Sequence, residues 1–150
     1  MITRAVAAAA ITLLATSAAA TSADAGALPP KTSFTVVTSF LDPVSEIIEA
    51  DGPWSDCSGV SDLSNSVNQV APRRLRFSGE KVVLCEGGDV VIHYDAETNF
   101  AGPRSRGLTF GTWSVVSSDN PEIIGGAGTV SGDPTGCPDC IVDVFTGRVY

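Results

Sequence analysis

His93 is the only histidine of the 150-residue chain, and it stands in the run Val91-Ile92-His93-Tyr94-Asp95-Ala96-Glu97. Strand alternation puts Val91, His93, Asp95 and Glu97 on one face and Ile92, Tyr94 and Ala96 on the other. An imidazole with carboxylates two and four residues on is the equipment of a general acid–base pair, the ring carrying the proton and a carboxylate orienting it. His93, Asp95 and Glu97 are therefore the candidate catalytic residues. The same alternation also describes an ordinary half-buried strand with its wet face outward. Only a barrel with a polar inner face would bring the three into a cavity. Tyr94, Trp113 and Phe110 are the candidate ligand-contacting aromatics, with core packing as their plain alternative.

Four cysteines, Cys57, Cys85, Cys137 and Cys140, complete the set of reactive side chains. An even count in an exported chain predicts two disulfides, for which three pairings exist. The short spacing of Cys137 and Cys140 favours a small closed loop, which pairs Cys57 with Cys85. A redox role for Cys137-Pro138-Asp139-Cys140 needs a helix N-terminus at the first cysteine. The apolar run Ile141-Val142-Asp143-Val144-Phe145 that follows reads as strand instead. Zinc would need reduced thiolates, so no metal site is expected. Gly125-Gly126-Ala127-Gly128 lacks the following helix of a phosphate loop, and Asp51, Asp56 and Asp62 lack calcium-loop spacing. No cofactor is expected.

The elements that must carry these residues are strands. Short β-branched and aromatic runs alternate with Gly, Asn, Asp and Pro. Strands are expected over Phe34–Phe40, Ser45–Ala50, Lys81–Cys85, Asp89–Thr98, Gly107–Ser117 and Ile141–Tyr150. Weaker strand signals fall at Val67–Val70, Leu75–Phe77, Glu122–Ile124 and Gly128–Val130. Asp51–Pro72 reads as a long polar loop clipped by Cys57, Ser78-Gly79 and Gly87-Gly88 as turns, and Asn99–Arg106 as a turn. Asp119-Asn120-Pro121 stops the strand before it. Six to eight short antiparallel strands predict an all-β fold, a small antiparallel β-barrel of calycin-like form with about eight strands, stapled by disulfides.

The N-terminus sets the compartment. Arg4 precedes an apolar run, Val6–Leu14, and then small residues, the layout of a secretory signal peptide cleaved after Ala20 or Ala25. Residues 1–25 are thus read as leader and 26–150 as one secreted domain, with no later segment apolar enough to span a membrane. The net charge of −8 opposes phosphate backbones and anionic lipid, and Arg73, Arg74 and Arg76 are too few for a nucleic-acid footprint. The oligomeric state is left open.

Gly111-Thr112-Trp113-Ser114-Val115-Val116, Gly126-Ala127-Gly128-Thr129-Val130-Ser131-Gly132 and Thr146-Gly147-Arg148-Val149 together resemble the C-terminal half of the allene oxide cyclase-like, or dirigent-like, barrels, exported bacterial members above all. Phe77-Ser78-Gly79-Glu80-Lys81 and Cys85-Glu86-Gly87-Gly88 are similar to the hairpin before it. The resemblance spans Leu75 to Tyr150. It implies a small barrel with an internal cavity, and members that are cyclases or steer the coupling of reactive intermediates. Where the family has Gly-Thr-Gly-aromatic, this chain has Ser118-Asp119-Asn120-Pro121-Glu122, so a cavity role of that stretch does not carry over. Three functions follow as expectations: a binder of a small apolar ligand or partner surface, a cyclase or isomerase using His93 with Asp95 or Glu97, or an interaction protein with a solid core.

Overall fold

The computed structural model describes residues 27–39, 41–100, 107–136 and 139–150. The leader, Phe40 at the end of the first expected strand, residues 101–106 of the Asn99–Arg106 turn, and Cys137 lie outside the described residues. Eight strands follow in order: β1 (Thr32–Ser39), β2 (Val44–Ala50), β3 (Cys57–Ala71), β4 (Arg74–Cys85), β5 (Val90–Asn99), β6 (Leu108–Ser118), β7 (Gly126–Asp133) and β8 (Cys140–Val149). Each pairs antiparallel with the next, and β8 pairs with β1 to close a barrel. The fold class is the one the alternation predicts.

Three local expectations fail, the first being the strand signal at Glu122–Ile124, which lies in the connection between β6 and β7. Asp51–Pro72 is not a loop: a single 3-10 turn, Gly52–Trp54, leads into the fifteen-residue strand β3. Its Ser, Asn and Gln residues carry little strand preference of their own, and pairing along β4 overrides that. Ser78-Gly79 is not a turn either but the middle of β4. Gly79 is there because β3 bulges between Asp62 and Ser64, and a β-carbon at 79 would collide with the Ser64 carbonyl oxygen. The Gly87-Gly88 turn does join β4 to β5, as expected, with the Gly88 N–H donating to the Cys85 carbonyl at 3.2 Å.

One end of the barrel is packed solid. Phe34 stacks on Phe145 at 4.7 Å between ring centroids, Trp54 tilts against Phe34 at 4.8 Å, and Trp113 meets Trp54 edge-on at 5.9 Å. Val83, Val90, Ile92 and Ile123 complete this plug and are fully buried. Trp113 lies where the next two strands offer no side chain: it pairs with Gly128, which pairs with Gly147. A β-carbon on Gly147 would come within 2.5 Å of Trp113 Cζ2. Gly128 and Gly147 thus make a flat bed for an indole.

Barrel closure is uneven. β2 pairs with β3 only over Val44–Glu46, opposite Gly59–Ser61, while β3 runs on beside β4 to Ala71. Cys57 and Cys85 face each other across β3 and β4 and are bonded, closing a segment of sequence separation 28 at the plugged end.

Two stability outcomes follow. Gly147→Ala forces Trp113 off its bed and is expected to cost about 1–3 kcal/mol by overpacking, measured by urea unfolding. Replacing Cys57 and Cys85 together with serine is expected to lower stability by about 3 kcal/mol on the chain-entropy account, read from the same assay without reductant.

Candidate functional site

The other end of the barrel is open and holds a cavity of about 680 Å3. Its apolar wall is built by Phe77 of β4, Ala96 of β5, Val130 of β7 and Ile141 and Phe145 of β8. Interspersed with them are the polar residues Lys81 of β4, Tyr94 of β5 and Asp143 of β8, with Thr38 of β1 and Asp62 of β3, and Asn65, Asp42 and Phe100 also line the cavity.

These polar residues form two sets of contacts. Lys81 keeps only 13% of its side chain exposed; its Nζ donates to Asp62 Oδ1 at 2.5 Å. The same ammonium sits 4.9 Å above the centroid of the Tyr94 ring, a cation–π contact that anchors it over the aromatic face. Between the neighbouring strands β1 and β8, Thr38 Oγ1 donates to Asp143 Oδ2 at 2.9 Å. Burial is the first cause that pushes the Tyr94 phenol up to about 12, and the Asp62 and Asp143 carboxylates add to it. The phenol is a proton donor at any physiological pH. Burial also raises Asp143 above the usual carboxylate range, outweighing the Thr38 hydrogen bond and the Lys81 charge, while Asp62 adds to the rise. An apolar chamber with a neutral phenol, a tethered ammonium and a carboxyl inclined to hold its proton can orient one polar group of a bound molecule.

The residues singled out from the sequence separate by face. Tyr94 lines the cavity, and Trp113 is buried. Phe110 is 63% exposed on the outer surface, in a shallow depression with Leu108, Val142 and Val144. His93, Asp95 and Glu97 alternate with the buried Ile92, Tyr94, Ala96 and Thr98, so they face outward and do not line the cavity. There Arg76 grips Asp95 through two nitrogens, one of them at 2.8 Å, and Arg74 pairs with Glu97. The Arg76 hydrogen bond, ahead of its charge and that of His93, holds the Asp95 carboxyl below the usual range. The two carboxylates next to His93 serve arginines.

Among the described residues one cluster has metal-type donors, Asp56 with Cys57 and Cys85. The two sulfurs are bonded to each other, and Asp56 Oδ2 accepts the Gly87 N–H at 2.7 Å. That cluster locks the β4–β5 turn and offers no thiolate.

Lys81, Asp143 and Thr38 were not singled out by the sequence, and Asp62 was weighed only as a calcium-loop residue, although Lys81 and Asp143 carry a signal there. Lys81 shares its strand parity with Leu75, Phe77 and Val83, and Asp143 shares its parity with Ile141 and Phe145. A charge on the apolar face of a period-two pattern marks a polar group turned inward. Asp62 carries no such mark, because the bulge after it breaks the period. Trp54, lost within an apparent loop, was equally hidden.

The raised Asp143 gives a pH signature. The folded protein holds this proton more tightly than the unfolded chain, so the group favours folding below about 4 and that contribution is lost as pH rises through the folded value. Asp143→Asn is therefore expected to gain stability relative to the parent between about pH 4 and pH 7, by the same linkage. Urea midpoints at both pH values check this; an equal difference at the two would remove the buried carboxyl as a cost. Set against known proteins, the chain matches no family model, no curated protein and no solved structure.

Proposed function

We infer that this protein binds a small, largely apolar molecule with one polar group in the open half of its barrel, in the secreted setting that the N-terminal sequence implies. The observation that carries the reading is the cavity of about 680 Å3, lined by apolar residues among which stand Lys81, Asp62, Tyr94 and Asp143. Its volume lies in the range of about 300–1,000 Å3 common to small-molecule sites. A solid-core interaction protein would have no use for a buried ammonium and a buried carboxyl facing empty space, since each costs desolvation free energy.

A second reading is the cyclase or isomerase suggested by the resemblance to the allene oxide cyclase-like and dirigent-like barrels. The observation in its favour is the pairing of a neutral phenol with a carboxyl of raised pKa across one cavity. In that case proton transfer falls to Tyr94 and Asp143 at the cavity wall, and His93 on the outer face is a bystander.

Native mass spectrometry of the protein taken from its own culture medium tests binding directly, by the mass released on denaturation. With an apolar fluorescent probe, Val130→Phe, which fills the apolar wall, is expected to weaken binding at least tenfold, about 1.4 kcal/mol. His93→Ala is expected to leave it unchanged. Equal loss in both variants, or none in Val130→Phe, would sink the cavity as the site.

A further inference from the structure

The long free margin of β3 is a surface of a different kind. Beyond Ser61, β3 has β4 on one side and no strand among the described residues on the other. Between the bulges at Asp62/Ser64 and Gln69/Ala71, the six residues Ser64–Gln69 run in unbroken register with β4, from Ser64↔Glu80 to Gln69↔Leu75. A straight strand with one unpaired row of backbone N–H and C=O groups is a template for another strand, and natural edges are usually defended by charge. This one is not. From Leu63 to Pro72 there is no Asp, Glu, Lys or Arg, in a chain of net charge −8. Leu63, Val67 and Val70 stand half-exposed along it.

We propose that this edge pairs with the same edge of a second copy, antiparallel about a two-fold axis at Val67, forming a dimer whose two barrels share one continuous sheet. The occupant is a second copy because the strand is chemically complementary to itself in that register. Val67 meets Val67 of the other molecule, Asn65 meets Gln69 as amide to amide, and Ser66 meets Asn68. The neutral stretch lets two acidic molecules touch where repulsion is least. Asn65 and Val67 face the same way as the cavity-lining Phe77, as their pairing with Gly79 and Phe77 requires. The added strand therefore extends the cavity rim at Asn65. Six residues on each side make a small interface, so the dimer is concentration-dependent.

Sedimentation velocity of the mature protein across a concentration series, with hydrogen exchange at its two ends, reads this out. Expected are reversible dimers and slowed amide exchange within residues 64–69 only at high concentration. Ser66→Asp with Asn68→Asp sets like charges opposite each other twice and is expected to weaken association at least tenfold, with an unchanged circular dichroism spectrum. Val67→Cys is expected to form an intermolecular disulfide across the axis, while Asn65→Cys, offset from its own copy, is not. A monomer at every concentration overturns the proposal. So does a dimer protected elsewhere, or equal cross-linking of the two cysteine variants.

Discussion

The contact on which the barrel depends is that of Trp113 with the strip of backbone beneath it. An indole on one strand needs two neighbouring strands to bring nothing but α-carbons, and Gly128 and Gly147 do this. With Trp113 seated there, Trp54 reaches in from the turn after β2 and meets it edge-on, and Phe34 and Phe145 stack beside them. Both indole N–H groups are buried without an acceptor among the described residues, so packing alone holds the cluster. Large aromatics gathered at one end leave too little side-chain volume for the other, and the cavity is what remains.

Strand order was legible wherever the inner face is apolar and the outer face polar. β5 is the clearest case, with Val90, Ile92, Tyr94, Ala96 and Thr98 buried in strict alternation. β3 was illegible because its residues are Ser, Asn and Gln and its bulges shift the period. Gly79 misled in the opposite sense: in sequence a Ser-Gly pair marks a turn, and only the bulge pressing on it from β3 explains a glycine inside a strand.

The candidate site was less legible than the fold, for a physical reason. Tyr94 stood out as an aromatic, whereas Lys81 and Asp143 are single exceptions in otherwise regular patterns, and a lone exception acquires meaning only when a cavity lies in front of it. The packed end opposite that cavity includes Trp54, a residue in a stretch without visible periodicity. His93 drew attention by being unique and by having carboxylates at the right spacing. The same spacing is what two arginines on β4 use to fasten β5 from outside.

The edge-to-face tryptophan pair also gives the molecule an optical identity. The chain has two tryptophans, and they are these two, 5.9 Å apart with ring planes at 77°. Indole transitions so close and so nearly perpendicular couple, splitting into an exciton pair of opposite ellipticity. The signal belongs to neither ring alone and weakens steeply as the pair separates. Ordinary emission or dichroism from the native chain is therefore a report on the floor of the barrel, with no label needed.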